Sequence, residues 1–361
     1  MSMLSSRSGW EGLPSVTRSS FNRGEEPPES WEFLIDSTSN PGCALGIEVG
    51  SRGLRAALVT RDARIIESVH GISAPLTAQT ALDQMFALVE QLLEHPRSRN
   101  RSIETAGVAF GGPVDAGRGI TIDGLRAKGF ESYPLAGLIE ERFGIPVLLE
   151  NDARAAAFGE YRFGAGRGSH GLLFMQFGIG VGGGIVLGGR LLRGAGATAG
   201  EFGHIPVTAT GPRCSCGKPG HLEAYVSELA LLRRAQEALD DLTSAESQSA
   251  ALGIEYVFSD RAVKEVADIA AEATQMIGMA TASLVTALSC DTVVLGGYAG
   301  RIGPSFIGSV RARIRQYSLE SSHRRLIVSP AQLAPDAAIL GATSIAFHRI
   351  DHNGDLEAVV M

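Results

Sequence analysis

From Cys43 onward, apolar residues fall into short blocks closed by glycine or polar turns. CALGIEVG at 43–50 reads as a strand, and LRAALVT (54–60) and ARIIESVH (63–70) read as two more. Three strands in succession predict a meander. The pattern then changes period. Leu82, Met85, Phe86, Val89, Leu92 and Leu93 recur at helical spacing, so 78–94 is a predicted helix. TAGVAFGG (105–112) is a buried strand that ends in a glycine pair. LAGLIEERFG (135–144) is a helix stopped by Gly144, IPVLLEND (145–152) a strand, and ARAAAFGEYRFGAG (153–166) a helix. HGLLFMQFGIGVGGGIVLGGRLLRG (170–194) reads as strand, glycine turn, strand. A long apolar-rich helix is predicted over 261–288. DTVVLGGYAG (291–300) is a strand plus turn, RLIVSPA (325–331) a late strand, and DAAILGATSIAFHRI (336–350) a closing helix. A meander followed by alternating helices and strands, with glycine turns at strand ends, predicts a two-lobed α/β protein. No internal repeat of fixed period is visible.

Composition adds bounds. The 361 residues are 44% hydrophobic and 20% charged, enough for two lobes with cores of their own. The 45 glycines point to tight turns and backbone passing close to a ligand. A net charge of -7 favours neither DNA nor an anionic membrane as partner. No apolar run is long enough to span a bilayer. The four cysteines (Cys43, Cys214, Cys216, Cys290) do not form a disulfide framework and fit a reducing cytoplasm. Residues 1–42 carry three arginines, six acids and four prolines, and read as a disordered extension. They lack a signal-peptide pattern, and they are too acidic and too poor in helix for a DNA-binding head. Trp31, Phe33, Leu34 and Ile35 could dock as one short strand.

The chemistry concentrates in EFGHIPVTATGPRCSCGKPGHLE, 201–223. His204, Cys214, Cys216 and His221 can close around one tetrahedral zinc. Glu201 and Glu223 flank that knot, and each could serve a polar ligand or simply pair with Arg193 or Arg213. The glycine turn GIGVGGG (178–184) offers backbone N–H groups to an anion, or is a plain hairpin bend. Asp152, between a strand and a helix, suits an N-cap or a general base; in isolation the cap is the commoner role. VVLGG (293–297) suits either approach of a nucleotide or a tight turn.

Together these segments resemble the ROK (repressor, ORF, kinase) family, in the branch similar to bacterial glucokinase, over about residues 43–350. The most specific part is AGEFGH…CSCGKPGHLE, similar to the family's AGEhGH…CxCGxxGCLE. ENDARAAAFGE (150–160) matches ENDANAAALGE, and GGPVD (111–115) matches PGPVD. GIGVGGGIVLGGRLLRG (178–194) matches GTGxGGGxxxxGxLxxG. The resemblance implies an actin-like (ribonuclease H-like) α/β fold with a zinc-stabilised loop. It implies a smaller lobe of 43–167 plus 336–361 and a larger lobe of 168–335. It also implies ATP-dependent phosphorylation of a primary sugar hydroxyl, with Asp152 as base. Asn151, Glu201, His204, Glu223 and Gly112 would hold the sugar. Glu48, Gly50, Ser51, Arg52, Gly178, Gly180, Gly182, Gly296 and Gly297 would hold the nucleotide and Mg²⁺. His204, Cys214, Cys216 and His221 would hold structural Zn²⁺. A homodimer or homotetramer is expected, with no nucleic-acid or membrane partner.

Three positions depart from the family pattern. The phosphate motif DxGGTK stands as Glu48-Val49-Gly50-Ser51-Arg52-Gly53. His221 replaces a cysteine ligand. GLRAKGFESYP (124–134) stands where the family has an Asn-Leu-x-x-Trp-like sugar segment, with Asp123, Arg126 and Lys128 available for other contacts. These departures suit a hexose-like substrate such as a glucose-type sugar, an amino sugar or a C7 cyclitol. The alternative is a non-catalytic sugar-sensing regulator that lacks an evident helix-turn-helix. A zinc hydrolase is disfavoured, because four protein ligands leave no open metal position.

Overall fold

The computed structural model describes residues 42–50, 53–71, 77–124, 128–241 and 252–352. The expected extension, apart from Gly42, lies outside the described residues, as do Ser51, Arg52 and Arg126.

The strands are β1 (Cys43–Gly50), β2 (Gly53–Thr60), β3 (Ile65–His70), β4 (Ile103–Phe110), β5 (Val114–Asp115), β6 (Ile120–Thr121), β7 (Val147–Asn151), β8 (Gly171–Phe177), β9 (Val181–Leu187), β10 (Arg190–Leu191), β11 (Thr292–Gly297) and β12 (Ile327–Pro330). The helices are α1 (Ala78–Glu94), α2 (Leu135–Phe143), α3 (Asp152–Phe163), α4 (Glu223–Val226), α5 (Glu228–Asp240), α6 (Ile254–Val257), α7 (Lys264–Leu288), α8 (Tyr298–Ile302), α9 (Pro304–Tyr317), α10 (Glu320–His323) and α11 (Ala337–Asp351).

Two five-stranded sheets result, ordered β3-β2-β1-β4-β7 and β10-β9-β8-β11-β12. They share one plan. A meander of three antiparallel strands is extended by two parallel ones. The repeat that is invisible in the sequence is therefore present in the topology. Backbone pairing tolerates any residues that keep the inward face apolar, so topology can recur without a sequence period. The small β5–β6 ribbon stands apart from both sheets.

Helix ends follow local chemistry. Thr77 and Thr80 close a reciprocal capping box ahead of α1. Gly144 takes φ +69° and stops α2, as expected. Helices α5 and α9 were not anticipated. Their signals are the Ser227 hydroxyl, which accepts from the amide of Ala230, and Pro304 at the first turn of α9. Each buries one apolar stripe, Leu231, Ala235 and Leu239 in α5 and Phe306, Val310 and Ile314 in α9.

The first sheet packs its core against α1 and α2, and the second packs against α7 and α9. A third core joins them. Ala109 and Leu148 of the first sheet meet Leu172, Phe174 and Val294 of the second through α3 and α11. These two helices touch backbone to backbone. A methyl built on Gly341 would lie 1.7 Å from the carbonyl oxygen of Ala155, and one on Gly159 would lie 2.5 Å from that of Ala337. No helix among the described residues is long and apolar enough to cross a membrane.

Gly341→Val is expected to cost about 3 kcal/mol or more, because neither backbone can yield to the added side chain. Urea denaturation checks this; a cost under about 1 kcal/mol would show that the crossing is loose.

Candidate active site

Parallel strands deliver their carboxyl ends to one edge of the first sheet. The amide of Gly111 donates to the carbonyl of Val49 at 2.8 Å, which joins the end of β1 to the end of β4. A methyl on Gly111 would lie 3.3 Å from Cα of Gly50 and 3.4 Å from Oδ2 of Asp152. Gly50, Gly111 and Asp152 therefore meet. Glu48 faces Arg55 across β1–β2, and its Oε1 would lie 3.5 Å from a methyl on Gly50, so its longer side chain reaches forward along the strand. Arg55 Nη1 pairs with Asp336 at 2.6 Å.

The cap of α3 belongs to Asn151, not to Asp152. Asn151 Oδ1 accepts from the amide of Arg154 at 3.0 Å. Its Nδ2 donates to the carbonyl of Gly112 at 3.1 Å and to Asp152 Oδ1 at 3.3 Å. The amide of Ala153 donates to Asp152 Oδ1 at 2.7 Å. One oxygen of Asp152 is thereby oriented by its neighbours. Asn151 and Gly112 are tied to each other, and Gly112 also packs on the carbonyl of Asp123.

Behind Asp152 lies a charge network that sequence reasoning missed. Glu150 is 0% exposed and Arg154 1%. Arg154 Nε donates to Glu150 Oε1 at 2.7 Å, and Arg193 Nε donates to Oε2 at 2.7 Å. Arg193 thus serves Glu150 rather than Glu201 or Glu223. Burial pushes the Glu150 carboxyl up, but Arg154 and Arg193 outweigh it and hold the group below its ordinary value. The available signal was Arg154 itself, a charged residue among alanines on a buried helix face.

The four metal-ligand candidates gather as their spacing requires. Their donor atoms all lie within 4.8 Å of one another. His204 Nδ1 is 3.3 Å from Cys214 Sγ, and His221 Nδ1 is 3.2 Å from Cys216 Sγ. A tetrahedral zinc with these donors holds them about 3.3–3.8 Å apart, so the set fits one ion. His204 turns Nε2 the other way, 3.9 Å from Glu201 Oε2. Burial raises the Glu201 carboxyl above its ordinary value, countered by His204 and Arg154 and reinforced by Glu223. Glu223 Oε1 accepts from Ser215 Oγ at 2.5 Å and from Cys214 Sγ at 3.6 Å, and Oε2 accepts from the amide of Val181 at 3.2 Å. Arg213 donates to the carbonyl of Gly217 and stays within the knot. Cys43 and Cys290 are buried elsewhere; burial lifts the Cys290 thiol to about 11, which suits an inert apolar packer.

The two glycine turns stand side by side, because Gly297 is in register with Phe177 on adjoining parallel strands. Gly297 has φ +70°, and a methyl there would lie 1.8 Å from the carbonyl oxygen of Phe177. Gly296 packs on the side chains of Gln176 and Phe174, where a methyl would lie 2.5 and 2.7 Å away. The bend itself is shorter than the glycine pattern suggests. The amide of Gly178 donates to Gly180, and the strand resumes at Val181. Gly182 lies beyond the bend, in β9, where a methyl would meet Cβ of Ala153 at 3.2 Å. Gly182 thus links the strand after the turn to Ala153, the residue that follows Asp152, and Val181 links it to Glu223.

The sequence profile of the ROK family matches residues 44–349. The chain is 29% identical over 316 residues to the glucokinase of Streptomyces coelicolor, covering 84% of this chain and 98% of that one. It is 28% identical over 302 residues to the N-acetylmannosamine kinase of Salmonella newport, covering 84% and 97%. Among solved structures, a ROK family glucokinase from Streptomyces griseus in complex with glucose and AMPPNP superposes with a TM-score of 0.73 at 29% identity, covering 85% of this chain and all of that one.

Asn151→Ala is expected to cost about 1–2 kcal/mol through loss of the cap, and Asn151→Ser, which restores an acceptor, to recover most of it. Equal stability of the two variants in urea would remove the capping role.

Proposed function

This chain belongs to the ROK family and is a carbohydrate kinase; from that premise we propose that it transfers the γ-phosphoryl group of ATP to a primary hydroxyl of a hexose or hexose-like polyol. The observation that carries this reading is the meeting of Gly50, Gly111 and Asp152 at the carboxyl ends of parallel strands. Those glycines leave room for phosphate and sugar beside one oriented carboxylate. In the actin-like fold that the chain shares with its relatives, the two sheets serve as lobes and this edge faces the cleft between them.

Asp152 takes the proton of the attacking hydroxyl. The hydroxyl oxygen bonds to the γ-phosphorus, and ADP leaves. Asn151 holds Asp152 and the Gly112 backbone in place, so its part is orientation. Glu201 and His204 Nε2 offer an acceptor and a donor to sugar hydroxyls. Glu223 ties the metal knot to the β8–β9 turn. The turns at Gly178–Gly180 and Gly296–Gly297 receive the nucleotide. Glu48 is the acid placed to hold Mg²⁺, which when bound neutralises phosphate charge.

His204, Cys214, Cys216 and His221 hold a structural Zn²⁺ in this reading. His204 would hold that metal through Nδ1 and so keep its proton on Nε2, the nitrogen that faces Glu201 and the sugar.

Asp152→Asn is expected to lower kcat by about 10³-fold or more, with melting temperature and zinc content kept. The assay is ADP release with D-glucose, N-acetylmannosamine and C7 cyclitols. Near-normal turnover by the variant would remove Asp152 as base. Sugar binding by calorimetry without wild-type turnover would instead favour a sensor.

Purified protein is expected to carry about one zinc per chain by mass spectrometry, and Cys214→Ala to lose it together with sugar affinity. Metal-free protein with full sugar affinity would rule out the zinc role.

A further inference from the structure

Arg154 is the largest fully buried side chain that carries a charge. The family motif quoted above has asparagine at that place, so a guanidinium there asks for an explanation. Arg154 lies two residues after Asp152, about half a turn along α3, and its donors leave in three directions. Nε goes to Glu150 at 2.7 Å, at the end of β7. Nη1 goes to the carbonyl of Ala197 at 2.5 Å and reaches that of Ala199 at 3.4 Å. Nη2 reaches the carbonyl of Val114 at 3.5 Å, beside the Gly111–Gly112 turn. The 197–199 segment leads directly into Glu201. A methyl on Gly200, which has φ +96°, would lie 3.6 Å from Cγ of Arg154, so the loop rests on the stem as well as the head of this side chain.

We propose that Arg154 is a positioning residue: its guanidinium fixes the Glu201 loop and the Gly112 turn relative to Asp152, so that the sugar pocket is preformed before nucleotide binds. The proposal rests on the sugar-kinase reading of this same site. Its physical basis is the planar fork of arginine, which can serve a carboxylate and several carbonyls at once, where lysine offers one point charge. Glu150 pairs with that fork through one oxygen and with Arg193 through the other, so the buried guanidinium has a carboxylate partner, and the excess positive charge of the trio falls to the less buried Arg193. A shift of about 1 Å between Asp152 and Glu201 is enough to cost about 100-fold in the rate of an aligned transfer.

The test is Arg154→Lys in the full chain. The expected result is a sugar KM raised about ten-fold and kcat/KM for sugar lowered about 100-fold, with the KM for ATP within about two-fold of wild type. Amides of 194–201 are expected to lose protection in hydrogen exchange while the rest of the chain keeps it. Arg193→Gln, which strips Glu150 of its other partner and spares the Ala197 contact, is expected to lower stability with the sugar KM within about two-fold. Should Arg154→Lys fail to fold, the charge-neutral pair Glu150→Gln with Arg154→Gln is read in the same way. An unchanged sugar KM with unchanged protection at 194–201 would overturn the proposal. A fall in kcat and kcat/KM in step with the folded fraction, with the sugar KM unchanged, would also overturn it, by reducing Arg154 to a stabilising residue. If the wild type turns over no sugar, the kinase reading fails by itself, and exchange at 194–201 still decides whether Arg154 holds the loop.

Discussion

Helices α3 and α11 cross with their backbones in direct contact at Gly159 and Gly341, and this contact fixes the two sheets relative to each other. Each helix follows the fifth strand of its own sheet and packs against the other sheet. The exchange brings the two sheets onto one shared core. It is possible because Gly159 and Gly341 present no side chains where the two backbones pass. The same crossing sets where α3 begins. Because α3 starts at the end of β7, its first residue stands at the sheet edge where β1 and β4 also end. The chemistry at Asp152 is therefore a consequence of topology, with loop conformation adding only the facing groups.

Those facing groups come from the second half of the chain. Glycines in β9 allow the strand to lie close on α3, with Gly182 against Ala153 and Gly184 against Ala157. Residues of ordinary size there would push β9 away and carry Val181 and Glu223 with it. Glycine in this stretch thus serves packing as much as phosphate contact. This divides a pattern that looks uniform in sequence: Gly178 and Gly180 shape a bend, whereas Gly182 and Gly184 are helix-contact positions within a strand.

Most of the architecture was legible from periodicity because the central strands β1, β2, β4, β7, β8, β9 and β11 are mostly buried and the major helices carry apolar stripes. Strands β1 to β4, helix α1 and helix α7 fall within a few residues of expectation. Helices α5 and α9 escaped although their apolar residues recur at helical spacing, because each stripe is narrow and polar residues fill the rest of the helix. The metal-ligand cluster was legible because cysteine and histidine at short spacing have few other uses. The Glu150–Arg154–Arg193 network was not, since pairing across 43 residues leaves no local signature. Asp152 was partly legible. Its position at a strand–helix junction was clear, but which of two adjacent residues caps the helix depends on backbone angles that composition does not encode.

The 193–223 segment shows how two different chemistries share the work of holding one loop. Its beginning is held through Arg154 to Ala197, with Arg193 on the other oxygen of the Glu150 that Arg154 pairs with. Its end is drawn together by His204, Cys214, Cys216 and His221. Glu201 stands between these anchors. In the first anchor the carboxylate partner is held below its ordinary value by the two guanidinium groups. The second needs deprotonated thiols and neutral imidazoles to take a metal. A loop fixed at both ends loses little conformational freedom when a ligand arrives, so more of the contact energy remains for binding. That argument links the buried charges to the exposed ones: Glu150 never meets a ligand, yet it keeps Glu201 where a ligand can be met.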